Sequence, residues 1–192
     1  MRGMATLDTK SALLTEAETL VRTLGYAAFS YADLSERVGI RKASIHHHFS
    51  TKEVLGNALI DGYLERFSAQ LEELSAADMD TSRKLLAYGD FFAGSLDDGL
   101  MPLCGALAAD AAYLPASMQR RVKKFFELHL TWLEAVLREG AARRQIKLQG
   151  SAHKSALLLL STLQGASVVA WALKDSSVIK PVFRQLVETM GK

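Results

Sequence analysis

The stretch that decides the fold runs from residue 25 to residue 52 and reads GYAAFSYADLSERVGIRKASIHHHFSTK. Two short helical patterns meet in it at a tight turn, Gly39–Ile40. Past that turn the formal charge is +3, carried by Arg41, Lys42 and Lys52, with no Asp or Glu to offset it. A helix-turn-helix that presents its second helix to the DNA major groove needs this arrangement. The stretch therefore predicts a DNA-reading unit.

The bulk composition is ordinary for a soluble globular protein. Of the 192 residues, 49% are apolar and 23% are charged, which is enough for a substantial core. The net charge of +2 is too small to mark the whole chain as a polyanion binder, so any charge that attracts DNA must be local. The single cysteine, Cys104, excludes an intramolecular disulfide, and the first ten residues lack the apolar core of a signal peptide. These features predict a cytoplasmic protein.

Helical periodicity dominates the chain and predicts an all-α fold of about nine helices. The first helix should begin near Asp8 or Thr9 and end at Gly25, which serves as a left-handed cap. The second should begin at Ser30, with Asp33 in capping-box spacing, and should stop at the turn.

Later helix boundaries follow from caps and breaks. After a third helix of about two turns, a Ser50–Glu53 capping box should open a fourth helix that runs to about Ser75. The remaining helices are expected near residues 81–97, 102–111, 115–144, 151–174 and 178–190.

The third helix supplies the side chains expected to read DNA. Ile45 and Phe49, four positions apart, take the inward direction, which leaves their neighbours pointing outward. Small side chains at Ala43 and Ser44 allow close approach, and Ala43 can meet a thymine methyl group. Groups at the edges, such as the helix N-terminus at Ser30, should hold phosphates. The expected DNA contacts are Ser30, Tyr31, Arg41, Lys42, Ala43, Ser44, His46, His47, His48 and Lys52.

The run FSYADLSERVGIRKASIHHHFSTKEVL resembles the TetR-type one-component transcriptional repressors. Aromatic-Ser-Tyr leads the second helix, Val-Gly-Ile makes the turn, and Ser-Ile-x-x-His-Phe-x-x-Lys-Glu-x-Leu follows. The motif covers roughly residues 10–56, and one departure is His46, where the family usually has Tyr or Trp. By this resemblance, family members touch DNA at the positions of Ser30, Tyr31, Lys42, Ser44, His46, His47 and Lys52.

The resemblance also implies two domains and a switch. A three-helix DNA-binding domain is expected at 1–54, and a helical effector-binding and dimerisation domain at 55–192. Such a protein is expected to bind a pseudo-palindromic double-stranded operator as a homodimer, and a small-molecule effector is expected to release it.

The helix at 151–174 is apolar nearly all round and therefore needs partners on two sides. Small side chains at Ser161, Gly165 and Ala166 allow close approach between helices. We expect the last two helices to pair with their symmetry mates, although both could simply complete the core of one chain. The expected interface residues are Leu160, Gly165, Val168, Trp171 and Leu186.

The same segment raises the question of a membrane. Residues 155–173 contain no charged residue and are long enough to span a bilayer, but their Ser, Thr, Gln and Gly residues disfavour a lipid-facing helix. No membrane partner is therefore expected.

Aromatic residues lie between the reader and the interface in the chain. The resemblance implies that some of them enclose a pocket, and the small number of polar groups favours an apolar or aromatic effector. The candidates for pocket or sensor are Tyr63, Phe67, Tyr88, Phe92, Cys104, Phe126, His129 and Trp132.

Cys104 admits two interpretations. It falls in the first turn of a predicted helix, where backbone amides can stabilise a thiolate. An electrophile- or redox-sensing repressor that acts through this thiol is therefore an alternative function. The other interpretation is a small buried hydrophobic residue.

Two further classes of function are weaker. Cys104 with His129 or His153 could form a nucleophile–base pair, but nothing supplies a third partner or an oxyanion hole. The consecutive histidines 46–48 spread around a helix and cannot converge on one metal ion. We expect no enzymatic activity, no catalytic residue, no metal and no cofactor. A helical interaction protein without sequence-specific DNA reading is the last alternative.

Overall fold

The computed structural model describes residues 2–191, and for residues 2–8 only the backbone. Within that range the chain forms nine α-helices and two short 3-10 helices, with no strand. The predicted all-α fold is therefore confirmed. The α-helices are α1 (Arg2–Leu24), α2 (Tyr31–Val38), α3 (Lys42–His48), α4 (Lys52–Ala76), α5 (Thr81–Asp97), α6 (Leu103–Ala109), α7 (Ala116–Ala142), α8 (Ala152–Leu173) and α9 (Ile179–Met190).

Two predicted helix starts are wrong. Helix α1 begins at Arg2 rather than near Asp8, because residues 4–8 (MATLD) contain no helix breaker. Helix α4 is capped by Thr51, whose hydroxyl accepts a hydrogen bond from Val54 N at 3.1 Å, and not by Ser50. The Glu53 carboxylate, predicted to complete a capping box, instead accepts a hydrogen bond from Ser117.

The chain divides into two compact units, residues 1–65 with 103–123 and residues 66–102 with 124–192. The contact boundary in α4 therefore falls later than residue 54. The functional division between a DNA-binding domain and an effector domain at residues 54 and 55 stays a prediction.

The core of the first unit forms around α1. The apolar stripe of α1 is almost completely buried and consists of Leu13, Ala17, Leu20 and Val21. Inward residues of the next helices, among them Leu34, Ile45 and Ile60, are fully buried in the same unit. Arg121 adds an ion pair to Asp61, in which the single Nε–H group lies 2.8 and 3.0 Å from the two carboxylate oxygens. The short helices α2 and α3 thus gain their stability from packing rather than from length.

The second unit packs its helices closely around small residues. A Cβ atom on Gly89 of α5 would lie 2.5 Å from the Phe183 ring of α9, and one on Gly140 would lie 2.3 Å from the Thr81 hydroxyl. These two glycines therefore let the helices approach where a side chain would prevent it.

Among the described residues, α8 is the helix with the length and hydropathy of a membrane span. Its residues Ala156, Leu159 and Leu163 are fully buried in the second unit. Core helices of soluble proteins share this composition, so α8 gives only weak support to a membrane interpretation.

Candidate nucleic-acid interface

Helix α2 begins with the predicted capping box. The Ser30 hydroxyl accepts from Ala32 N at 3.1 Å, and the Asp33 carboxylate accepts from Ser30 N at 2.7 Å. The Ser30 hydroxyl also donates to the Asp33 carboxylate at 2.8 Å, and this bond together with the one from Ser30 N lowers the pKa of Asp33. The Ser30 hydroxyl therefore serves as the helix cap, and the phosphate contact expected at this helix N-terminus stays a prediction.

The turn between α2 and α3 depends on Gly39. Its backbone lies in the left-handed region, with φ 71° and ψ 29°, which residues with a Cβ rarely adopt. The Ser35 hydroxyl donates to Ile40 O at 2.5 Å and closes the turn from the side of α2. The direction of α3 is thus fixed locally.

Helix α3 presents an exposed face without acidic residues. Ile45 and Phe49 are buried in the first unit, as the spacing predicts. The predicted reading residues lie on the opposite side. Exposed among them are Arg41, Lys42, Ala43, Ser44, His46 and His47, while His48 is half-buried. Their contact with DNA stays a prediction.

Tyr31 fastens the C-terminal end of α3. Its hydroxyl donates to Phe49 O at 2.9 Å, and its ring meets the His46 ring edge to face at 4.9 Å. The His46 Nδ1 atom lies 3.2 Å from Ser50 O. Burial raises the pKa of Tyr31 to about 12, so the phenol keeps its proton. His46 of α3 thus packs on Tyr31 of α2.

Lys52 holds the start of α4 against the turn before α2. Its ammonium group donates to Phe29 O and lies over the Tyr26 and Phe29 rings, 4.7 and 4.3 Å from the centroids. Partial burial lowers its pKa. The predicted phosphate contact is therefore also a cross-link between α4 and the α1–α2 turn.

Asp110 is a residue of this region for which the sequence carries no local signal. Its carboxylate accepts from Tyr26 N at 2.9 Å, across 84 positions of the chain. A Cβ atom on Gly25 would lie 2.9 Å from the same carboxylate, and Gly25 has a left-handed φ of 90°. The segment after α6 is thus tied to the turn that positions α2.

Cys104 occupies the first turn of α6, as predicted, but it is fully buried. Burial raises the pKa of its thiol well above the ordinary value, and the carboxylate of Glu18 raises it further. A buried neutral thiol is a poor nucleophile. The structure therefore favours the interpretation of Cys104 as a small buried hydrophobic residue over that of a redox or electrophile sensor.

We expect Cys104 to resist alkylation in the folded protein because both its burial and its raised pKa oppose thiolate formation. Maleimide labelling at neutral pH should be at least about 100-fold slower than in denaturant, which exposes the same thiol. Rapid labelling of the native protein would revive the sensor alternative.

Six of the eight predicted pocket residues come together in the second unit. Tyr88 stacks on Trp132 with centroids 5.1 Å apart, and the His129 ring lies 4.9 Å from Phe67 and 6.3 Å from Phe92. Phe126 is half-buried and packs against the same core. The other two candidates, Tyr63 and Cys104, belong to the first unit.

A cavity of about 530 Å³ lies elsewhere in the second unit. It is lined by Leu96, Asp97, Gly99, Ala170, Trp171, Lys174, Asp175 and Ser176. None of these belongs to the predicted pocket, and Trp171 was expected in the dimer interface.

The last two helices leave an apolar face uncovered in the single chain. Val168 and Trp171 are 58% and 37% exposed, Gly165 is exposed, and Leu186 is half-buried. Leu160 does not fit the predicted interface, because it is 95% buried within its own unit (5% exposed). Additional exposed apolar residues on these helices are Leu157, Leu158, Val169, Leu173 and Val182.

The described residues contain no group of three or more His, Cys, Asp or Glu side chains that could hold a metal ion.

Known proteins resemble the chain both locally and over its full length. The family described as bacterial regulatory proteins, tetR family, matches residues 13–59, which span the second half of α1, all of α2 and α3, and the start of α4.

Solved structures extend the similarity to the whole chain. A TetR-family transcriptional regulator from Agrobacterium tumefaciens is 33% identical, with a TM-score of 0.93, and the match covers 97% of this chain and 100% of that one. A TetR transcriptional regulator from Legionella pneumophila is 30% identical, with a TM-score of 0.85, over 94% of this chain and 96% of that one. The transcriptional regulator CymR of Pseudomonas putida is 27% identical over 95% of this chain and 89% of its own.

Proposed function

Because the chain belongs to the TetR family of DNA-binding transcriptional regulators, we propose that it is a dimeric cytoplasmic repressor released from its operator by a small molecule. The observation that carries the proposal is the exposed, acid-free face of α3, with Ile45 and Phe49 anchoring the opposite side. Basic and small side chains at Lys42, Ala43 and Ser44 suit entry into a major groove.

A second copy is proposed to cover the apolar face of α8 and α9. Val168 and Trp171 are partly exposed to solvent in the single chain, although they are large and apolar. A two-fold axis through this face would bring the same residues of both copies together. It would also give the protein two copies of α3, which a pseudo-palindromic operator requires.

The ties around the α1–α2 turn support a route for regulation within the first unit. Asp110 holds the turn through Tyr26 N, and Lys52 holds it through Phe29 O. A displacement of the segment after α6 would therefore pull on the turn that positions α2 and, with it, α3. An effector acts on this route only if it binds the DNA-free conformer more tightly than the DNA-competent one.

A gel shift with the DNA upstream of the chain's own coding sequence tests the function. We expect a complex that a scrambled duplex of equal length does not compete away. Its affinity should fall steeply with salt, because phosphate contacts release counterions. A complex of equal strength on both duplexes would contradict sequence-specific regulation.

Replacing Lys52 with alanine should weaken binding to every DNA sequence by about tenfold and flatten the salt dependence, since one phosphate contact contributes a slope of about one. Part of the loss comes from the freed Phe29 carbonyl, so thermal melting should fall as well. The control is Ser44→Ala, which removes an exposed hydroxyl on α3 and should alter sequence preference more than melting. Unchanged affinity in both variants would mean that the DNA-reading surface lies elsewhere.

A further inference from the structure

His129 of α7 carries a polar atom without a partner in the described part of the chain. The residue is completely buried, and its Nε2 atom has no hydrogen-bond partner among residues 2–191 as the structure describes them. Aromatic rings surround it, with centroids 4.1 Å away for Phe125 and 4.9 Å for Phe67. A buried polar group without a partner is rare in native proteins and calls for an explanation.

The hydrogen bond of Nδ1 determines whether Nε2 of His129 is a donor or an acceptor. Nδ1 lies 2.6 Å from the Tyr88 hydroxyl, and which group donates depends on the imidazole tautomer. We assign the hydroxyl as the donor, because a phenol is the stronger hydrogen-bond donor and an imidazole nitrogen the stronger acceptor. Burial lowers the pKa of His129 to about 3, so the ring is neutral near pH 7. A neutral imidazole that accepts at Nδ1 carries its one proton at Nε2. The orphan group is therefore an N–H donor that points into an apolar environment.

We propose that His129 Nε2–H is the hydrogen-bond donor of the effector site, and that the effector is an uncharged aromatic molecule with one carbonyl-type acceptor. This inference rests on the proposed function and specifies the effector class. The surrounding rings offer edge-to-face partners to an aromatic ligand. The site disfavours a carboxylate, because the anion would lose its hydration among these rings and the neutral His129 offers no charge to offset that cost.

Two half-buried rings, Phe91 and Phe126, mark where a ligand enters. Phe91 contacts Phe67 at 5.8 Å, and Phe126 contacts Phe125 at 5.7 Å. Phe67 and Phe125 in turn contact the His129 ring. Their displacement would open a path to Nε2, and only the ligand-bound conformer would then pair the donor. Such a difference between conformers is what an effector needs in order to shift their populations.

The test uses three small probes on DNA-free protein: acetophenone, ethylbenzene and benzoate. Acetophenone and ethylbenzene have nearly the same shape, but only the former offers an acceptor. One hydrogen bond to a buried donor should make acetophenone bind about tenfold more tightly than ethylbenzene. Benzoate should bind more weakly than either. Calorimetric titration of the wild-type protein measures all three affinities.

Two variants assign the difference to Nε2. His129→Asn keeps a polar group within reach of Tyr88 but has none at the Nε2 position, so the ratio of the two affinities should fall to about one. His129→Gln places its amide near the Nε2 position and should keep part of the preference. A ratio in His129→Asn equal to that of the wild type would overturn the assignment, as would failure of the wild type to bind acetophenone.

Wild-type protein provides a second readout that needs no variant. The ring nitrogen resonances of 15N-labelled His129 should show a proton on Nε2, and acetophenone should shift that proton downfield. A proton on Nδ1, or an Nε2 signal that acetophenone leaves unchanged, contradicts the proposal. These measurements contain no DNA. A failed operator shift with an intact acetophenone preference would therefore count against the repressor and not against this site.

Discussion

Replacing Val168 with glutamate should separate the two copies of the chain and reduce operator affinity by about 100-fold or more. The side chain is 58% exposed in the single chain, so the carboxylate costs little there. In a two-fold interface the substitution appears twice and buries two like charges without partners, which costs several kcal/mol. A single α3 then holds only one half-site. Sedimentation gives the oligomeric state, and fluorescence anisotropy gives the affinity.

The matched control is Met79→Glu, which adds the same charge at another exposed apolar residue of the second unit, between α4 and α5. This variant should remain dimeric and bind the operator like the wild type. If Val168→Glu also stayed dimeric with unchanged affinity, the face formed by α8 and α9 would not be the interface.

The substitution Ala43→Glu should abolish DNA binding while leaving the folded protein intact. Ala43 is exposed in the first turn of α3, where a carboxylate interacts favourably with the helix dipole. The free protein should therefore melt at the wild-type temperature or slightly above it. In the groove the same carboxylate is too large and faces phosphates, so affinity should fall by at least about 100-fold. Circular dichroism and anisotropy measure the two effects separately.

Ala69→Glu is the control for that variant, because it makes the same change at an exposed position of α4. Its operator affinity should stay within about twofold of the wild type, since distant surface charges are largely screened. An Ala43→Glu protein that still bound its operator would place α3 outside the groove.

Features that depend on a few neighbouring residues could be predicted from the sequence. The capping box of Ser30 and Asp33, the left-handed Gly25 and the inward Ile45 all follow from local sequence patterns. Where two local solutions compete, the prediction failed. Ser50 and Thr51 can each cap α4; the structure has Thr51 as the cap, and Glu53 bonds to Ser117 instead of closing a capping box.

Contacts between distant parts of the chain could not be predicted. Nothing near Asp110 indicates that it accepts from Tyr26 N. From the sequence, the ammonium group of Lys52 could pair with a phosphate or with a carbonyl group of the protein. Only the fold shows that it donates to Phe29 O.

Helix α8 illustrates a different limit. Its apolar residues surround the helix, so periodicity does not tell which side faces the core of its own unit. Packing assigned Leu160 to the core and left Val168 exposed, although both had been expected in one interface. Amphipathic helices such as α9 avoid this ambiguity, because their polar residues mark the outer side.

Selection of duplexes from a random DNA pool by the purified chain tests the central claim most directly. Two copies of α3 on one dimer should enrich a pseudo-palindrome whose half-sites lie about one helical turn, or a multiple of it, apart. Each selected duplex should bind an even number of chains, and Ala43→Glu should enrich nothing. Enrichment of a single asymmetric half-site by one chain, or no enrichment at all, would contradict a dimeric sequence-specific repressor.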